Sequence, residues 1–189
     1  GWGMSATTKI DLCAWALKYA ELGWRVIPLH NPLTKEGWSC SCEIYKRSDR
    51  YRQWLESKGM GAKFDPDFVC GKSAGKHPRF SDWESKASSD PEQIRAWWKK
   101  WPSANIGIAA GRSGLLEIDG DKYKDDYAGD DLLSLDEKVT PTVLSGGGGE
   151  NWVYLMPPGK TYSNEEGDLP AGINIRGHGG QIVAPPSPH

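Results

Sequence analysis

The segment from Gly114 to Asp121 constrains the fold of this chain most, because it joins a strand-forming apolar run to two acidic residues. Three aliphatic side chains precede Asp119 and Asp121, which are separated by a single glycine. Residues two apart in a β-strand lie on the same face, so both carboxylates would converge there. Converging carboxylates repel each other unless a cation lies between them, and Mg²⁺ or Mn²⁺ with oxygen ligands meets that need. The alternative is a solvated strand end, since Asp-Gly-Asp is also favourable in a turn.

The length and composition of the chain indicate one globular domain. The 189 residues allow one substantial core, divided at most into two lobes, and the ten tryptophans exclude a disordered chain. No segment approaches the roughly 18 uncharged apolar residues of a membrane span, and the N-terminus lacks the apolar block of a signal peptide. We therefore expect a soluble, cytoplasmic protein with no membrane partner, in which residues 1–3 are an expression remnant and residues 4–189 form the domain.

The charge distribution is more informative than the formal net charge of −2, which does not indicate a nucleic-acid-binding protein. Residues 35–79 contain ten Lys and Arg against six Asp and Glu, whereas residues 121–137 contain seven acids against two lysines. The first segment has the composition of a phosphate-facing surface, although an ordinary solvated surface accounts for it equally well.

Apolar periodicity predicts alternating helices and strands. The segment Thr7–Leu22 has the pattern of an amphipathic helix, and Trp24–Leu29 that of a strand whose proline indicates a sheet edge. Asp90 begins a second helix as its cap and Pro102 ends it. Tryptophans at helical spacing on that helix indicate a buried face rather than a base-stacking surface. Asn105–Ala109 is then a short strand, which makes the fold class α/β.

Three of the four cysteines lie between residues 31 and 80, where regular patterns fade. Cys40, Cys42, Cys70 and His77 provide four soft ligands of the type that tetrahedral Zn²⁺ prefers. The Cys-x-Cys spacing and the long insertion differ from those of ordinary zinc fingers. Free thiols or a disulfide are the alternatives, and a cytosolic setting disfavours the disulfide.

A run of four glycines, residues 146–149, separates two predicted strands of a hairpin. Glycine lets backbone N–H groups approach an anion closely, so Ser145 and this loop could bind a triphosphate. A simple hairpin turn is the alternative, and no Gly-Lys-Ser/Thr follows that would make it a Walker loop. Lys76 and Arg79, in the preceding basic segment, either reach a phosphate or are exposed loop charges.

The last patterned block is a half-buried strand, Ile173–Arg176, in which isoleucines alternate with polar residues. A glycine-rich turn follows, and Gln181–Ala184 then predicts a second hairpin with that strand. In this arrangement Asn174, Arg176 and His178 could all point the same way.

The order of these blocks resembles the bifunctional primase-polymerase (prim-pol) domain of plasmid, phage and mobile-element replication proteins, a branch of the archaeo-eukaryotic primase superfamily. The matching segments cover nearly the whole chain. They are Ala16–Leu29, Gly75–Pro78, Trp97-Trp98, Asn105–Gly111, Asp119-x-Asp121, Ser145 with its glycines, and Arg176–Ser187.

The resemblance implies a two-lobed α/β (α+β) domain whose catalytic sheet, within residues 104–189, is like an RNA-recognition motif. Template and nucleotide would bind in the cleft, and residues 31–80 would be a zinc-stabilised insertion. Asp119 and Asp121 would hold two Mg²⁺ or Mn²⁺ ions, of which one lowers the pKa of the primer 3′-hydroxyl and the other neutralises the leaving pyrophosphate. The residues implied in binding the incoming triphosphate are Ser145, Gly147, Gly148, Arg176 and Lys76.

Two positions depart from the family pattern. Asn151 stands where relatives usually place a histidine that contacts the triphosphate, and Asn174 stands where they usually place a third metal-binding aspartate. An asparagine offers a metal one neutral oxygen but no charge. The departures imply a slow or silent enzyme, or one that relies on neighbours such as His178.

The sequence therefore predicts a DNA-directed nucleotidyltransferase, a primase, a polymerase or both, that uses NTPs or dNTPs on single-stranded DNA or a primer-template. An attached or separate helicase is its expected partner. The first alternative is a non-catalytic module that binds nucleotide or primer-template for that helicase. The second is a metal-dependent glycosyltransferase with an Asp-x-Asp motif, which would leave the cysteine cluster and the terminal block unexplained.

Overall fold

The computed structural model describes residues 10–33, 40–42, 70, 73–120, 142–144, 149–164 and 169–188. Its elements are helices α1, α2 and α3, a 3₁₀ turn, and strands β1 to β7. In chain order they are α1 (Leu12–Glu21), β1 (Val26–Leu29), α2 (Trp83–Lys86), α3 (Pro91–Lys100), β2 (Asn105–Ala109), the 3₁₀ turn (Gly111–Ser113), β3 (Leu115–Gly120), β4 (Thr142–Leu144), β5 (Glu150–Leu155), β6 (Ile173–Arg176) and β7 (Gln181–Ala184).

The first sheet has three antiparallel strands in the order β1-β2-β7. Pro28 of β1 lies opposite Ile106 of β2, and β1 is an edge strand, as the proline predicts. The central strand β2 is buried along its whole length. Gly107 is required at its centre, because a Cβ there would lie 2.7 Å from the Leu29 side chain.

The second sheet has four antiparallel strands in the order β4-β5-β3-β6. The predicted hairpin of β4 and β5 is present, and the acidic strand β3 lies inside the sheet between β5 and β6. The predicted hairpin of β6 with β7 is wrong. β6 pairs with β3 in this sheet, whereas β7 pairs with β2 in the first sheet. The glycine-rich turn between them, with Gly179 at φ 79°, thus carries the chain from one sheet to the other.

One hydrophobic cluster joins the two sheets and two of the helices. α1 and α3 contribute its helical side, and α3 buries Ile94, Trp97 and Trp98 there, as the spacing of its apolar residues predicts. Leu115 of β3 belongs to the same cluster, and Val153 of β5 packs against it. The mixed α/β class is therefore confirmed, with two small antiparallel sheets that share a core.

Helix α1 is shorter than the sequence pattern predicts. It begins at Leu12 rather than Thr7, because Asp11 is extended and its side chain accepts a hydrogen bond from the Ala14 N–H as an N-terminal cap. Ile10 precedes that cap and is 56% exposed, so it is not part of the apolar face. Residue 7 itself lies outside the described residues.

The described helices include none that is long and apolar enough to cross a membrane.

Replacing Trp98 with Phe tests the core. The Trp98 Nε1–H donates a 3.0 Å hydrogen bond to the buried Ala104 carbonyl, which Phe would leave without a donor. We expect Trp98→Phe to lower the free energy of unfolding in urea by about 1–3 kcal/mol. Trp15→Phe is the matched control, since Trp15 is 41% exposed and should change stability by less. Equal losses in the two variants would contradict this account of the core.

Candidate metal and nucleotide site

Asp119 lies at the centre of a row of three polar residues on neighbouring strands. It is directly opposite Asn151 of β5 on one side and Asn174 of β6 on the other. Directly opposed residues in an antiparallel sheet project from the same face with their Cβ atoms about 5 Å apart. Strand register therefore brings together three residues that are 32 and 23 positions apart in sequence.

Arg176 contacts this row from β6. Its Nη2 donates a hydrogen bond to Asp119 Oδ2 at 3.1 Å, and the Arg176 side chain is 40% exposed. The same guanidinium presents its Nε to Glu117 Oε2 at 3.5 Å. One half-exposed cation thus bridges two carboxylates of β3.

Glu117 is a site residue that the sequence analysis did not identify. It lies two positions before Asp119 on the same face of β3, and only 2% of its side chain is exposed. Burial raises the pKa of Glu117 to about 7, against the hydrogen bond from Asn151 and the charge of Arg176, which lower it. The Glu-x-Asp-x-Asp alternation from residue 117 to residue 121 was the available signal, since it aligns three acids on one strand face.

Asn151 is held by Glu117. Its Nδ2 donates to Glu117 Oε1 at 2.9 Å. Its Oδ1 is buried and has no hydrogen-bond partner among the described residues. Because a buried amide oxygen is costly to leave unpaired, this atom is an available acceptor or metal ligand within the row.

Other predicted site residues lie elsewhere or outside the described part of the chain. Lys76 is half-buried and its carbonyl accepts a hydrogen bond from Gln181 of β7. His178 is exposed in the turn between the sheets and packs against Gly111, where a Cβ would come within 2.6 Å of its ring. The predicted residues outside the described ranges are Asp121, Ser145, Gly147 and Gly148.

The predicted cysteine and histidine ligands form a second cluster. The ligand atoms of Cys40, Cys42, Cys70 and His77 all lie within 4.8 Å of one another, and the cysteines are not in disulfides. The separations are 3.1 Å for Cys40 Sγ to His77 Nε2 and 3.3 Å for Cys42 Sγ to Cys70 Sγ. A tetrahedral Zn²⁺ with Zn–S bonds of about 2.3 Å places its sulfur ligands about 3.8 Å apart, so these four residues fit around one metal ion.

The thiols of this cluster differ in acidity. Burial opposes ionisation of Cys40, but hydrogen bonds from His77 and from backbone N–H groups outweigh it and lower the Cys40 pKa to about 6. Burial and the neighbouring Cys42 thiol raise the pKa of Cys70. Crowded thiols resist losing several protons together, and a bound divalent cation would offset that repulsion.

Arg79 and Asn105 attach the cluster to the first sheet. Arg79 donates to the Leu29 carbonyl at 3.0 Å and, through Nη2, to Ser41 Oγ at 3.1 Å. The buried Asn105 donates to the Gly75 carbonyl at 2.9 Å, and the Gly75 N–H in turn points to Cys40 Sγ at 3.5 Å. The cluster is therefore continuous with β1 and β2 rather than suspended in a loop.

The family of this chain follows from its similarity to known proteins. The family model described as bifunctional DNA primase/polymerase, N-terminal, matches residues 16–189. The chain belongs to the prim-pol family. No curated protein matches it. Prim-pol membership indicates a primase/polymerase-type nucleotidyltransferase with DNA and nucleotide substrates.

We expect purified protein to contain one equivalent of a divalent metal, with zinc as the ion, when it is analysed by mass spectrometry. Cys70→Ser removes one of four ligands and should release the metal and lower the free energy of unfolding by several kcal/mol. Cys13→Ser is the matched control, because Cys13 lies on α1 and is not one of the four clustered residues. Retention of a full equivalent of metal by Cys70→Ser would exclude Cys70 as a ligand.

Proposed function

We propose that this domain is a template-directed nucleotidyltransferase that synthesises or extends primers on DNA with divalent metal ions bound at Asp119 and Asp121. The observation that carries the proposal is the row of Asp119, Asn151 and Asn174 at the centre of the second sheet, with Arg176 bonded to its acid. The proposed setting is the replication protein of a phage, plasmid or mobile element in the cytoplasm, working with a helicase. An RNA-recognition-motif-like catalytic lobe and a zinc-stabilised insertion are parts of the same proposal.

The donor atoms of the row suit a hard cation. Asp119 offers carboxylate oxygens, Asn174 an amide oxygen, and Asn151 an amide oxygen that lacks a protein partner. Mg²⁺ and Mn²⁺ prefer oxygen ligands, and they would supply Lewis-acid activation of the primer hydroxyl and neutralisation of the phosphates. Asp119 already accepts a hydrogen bond from the cationic side chain of Arg176, so its carboxylate contacts positive charge.

Arg176 is the proposed anchor of the incoming triphosphate. A guanidinium presents paired donors that match phosphate oxygens, and its 40% exposure leaves part of it open to a ligand. The register also supports a role for the glycine loop, since Gly120 at the end of β3 lies opposite Glu150, which directly follows Gly149. In the proposal, Ser145, Gly147 and Gly148 bind phosphate through that loop, and Lys76 and His178 remain predicted contacts of the nucleotide.

The two asparagines support a second candidate. A row in which only the central residue is acidic provides less negative charge for cations than one with a second aspartate. The alternative function is therefore a prim-pol module that binds nucleotide or primer-template for a helicase and extends primers weakly or not at all.

Primer extension distinguishes these functions. With Mn²⁺, dNTPs and a labelled primer-template, we expect extension that Asp119→Ala reduces by about a hundredfold or more, or about 3 kcal/mol of barrier. Asp82→Asn removes an exposed acid that forms an ion pair with Lys86, and it should leave the rate unchanged. Nucleotide binding without extension at any metal concentration would favour the binding module, and extension insensitive to Asp119→Ala would contradict the proposed site.

Asn174→Asp should strengthen the metal site. The new carboxylate would lie directly opposite Asp119, so it should repel Asp119 when no cation is bound and attract a cation when one is. We expect a lower Tm than wild type in EDTA, a recovered or higher Tm in Mn²⁺, and Mn²⁺ affinity raised by about tenfold.

Asn164→Asp, in the segment that follows β5, is the control for added charge. It should show no such reversal between EDTA and Mn²⁺. Identical Tm shifts for Asn174→Asp in both conditions would argue against a cation at this row.

A further inference from the structure

Three polar or charged residues are buried in the described part of the chain, Asn105, Glu117 and Ser187, and of these only Glu117 carries a carboxyl group. Charged side chains are almost never buried to this extent unless they are paired, because desolvation opposes the charge. Neither candidate function assigns Glu117 a role. Its position in β3, two residues before Asp119 on the same face, places it next to the proposed metal and nucleotide site.

The two carboxylate oxygens of Glu117 bind residues from both neighbouring strands. Oε1 accepts a hydrogen bond of 2.9 Å from Asn151 Nδ2 on β5. Oε2 lies 3.5 Å from Arg176 Nε on β6. A single buried carboxylate therefore connects two side chains of the proposed nucleotide site across three strands.

The bond to Asn151 determines which amide atom is available. An ionised carboxylate accepts hydrogen bonds and does not donate them, so the NH₂ group of Asn151 faces ionised Glu117. The amide oxygen then points elsewhere, and it is the buried Oδ1 atom that lacks a partner in the described structure. Glu117 thus makes Asn151 an oxygen donor rather than a nitrogen donor toward the row.

The guanidinium of Arg176 contacts two different carboxylates through different nitrogen atoms. Nε faces the buried Glu117, while Nη2 bonds to Asp119, whose side chain is 14% exposed. If Asp119 turns to a metal ion, Arg176 loses one acidic partner and keeps the other. The outer nitrogens would then be free for phosphate while the inner one stays fixed.

We propose that Glu117 is a positioning residue that holds the Arg176 guanidinium and the Asn151 amide oxygen in the orientation that binds a metal-nucleotide complex. The inference rests on the proposed function and adds a residue to it. Its competitor is a purely structural role, in which the buried contacts of Glu117 stabilise the sheet without affecting the ligand.

Glu117→Gln separates these roles because it preserves size. The glutamine oxygen can still accept from Asn151, but its NH₂ group then faces the Nε donor of Arg176. We expect the affinity for a fluorescent dATP analogue with Mn²⁺ to fall by about tenfold, as loss of one charge-assisted contact implies. Glu21→Gln, which removes an exposed charge at the end of α1, is the control and should bind as wild type.

A double-mutant cycle with Arg176→Gln measures whether Glu117 affects nucleotide affinity through Arg176. A purely structural role of Glu117 predicts no such coupling. In the Arg176→Gln background, Glu117→Gln should cause little further loss of nucleotide affinity, because its proposed effect acts through Arg176. Wild-type affinity in Glu117→Gln, or an undiminished tenfold loss in the double variant, would overturn the positioning role.

The same experiment separates failure of this inference from failure of the proposed function. If Asp119→Ala and Arg176→Gln weaken nucleotide binding but Glu117→Gln does not, only the inference fails. If Asp119→Ala leaves Mn²⁺-dependent binding unchanged, or the wild-type protein does not bind the analogue, both fail.

If the Glu117→Gln variant does not fold, nuclear magnetic resonance of the wild-type protein tests the contact between Glu117 and Arg176 instead. The Arg176 Nε–H signal, assigned by its loss in Arg176→Lys, should exchange slowly with solvent. It should stay protected when Mg²⁺ and dATP are added, because its carboxylate partner is buried. Fast exchange with and without ligand would overturn the proposal.

Discussion

The pairing of β3 with strands on both sides is the constraint on which the candidate site depends. An acid on an edge strand would have one cross-strand neighbour, whereas Asp119 has Asn151 and Asn174 directly opposite it on two strands. A shift of either register by one residue would turn the opposing side chain to the other face of the sheet. The site is therefore set by the hydrogen-bond ladders of β3, and the apolar residues that fix those ladders indirectly fix the site.

Burial of charge next to this row limits what the site can tolerate. Glu117 is kept in the sheet by donors from Asn151 and Arg176, and removing either donor would leave a buried carboxylate poorly compensated. Leu115, two residues earlier on the same face, belongs to the shared core, so this face of β3 changes from apolar to acidic along its length. That gradient places the carboxylates next to a low-dielectric region, where their interactions with cations are stronger than in water.

The sequence predicted local structure well, because it depends on neighbouring residues and on side-chain type. The cap at Asp90 and the strand containing Asp119 are present as predicted, and the Cys and His residues predicted as zinc ligands lie together in one cluster. Long-range pairing was not accessible in the same way. An alternating strand before a glycine-rich turn has the same pattern whether the next strand forms a hairpin or joins another sheet, so β7 was misassigned. The sequence alternation aligns Glu117 with Asp119 and Asp121 on one strand face, but an acid between apolar strand residues also has the pattern of a solvated position, and the burial of the Glu117 side chain distinguishes the two.

The charge balance of the row and its two charged neighbours, Glu117 and Arg176, explains how neutral asparagines fit the proposed function. Glu117 and Asp119 together oppose the single positive charge of Arg176, so these three described residues carry a net charge of −1 when both acids are ionised. An aspartate in place of Asn174 would add a fourth charge and bring the sum to −2, and the site would then hold a free divalent ion more tightly. With the asparagine, a metal ion is attracted less strongly by itself, while Arg176 still favours the phosphates that accompany it. Under the proposed function, this arrangement would favour joint binding of metal and nucleotide over binding of the free metal ion.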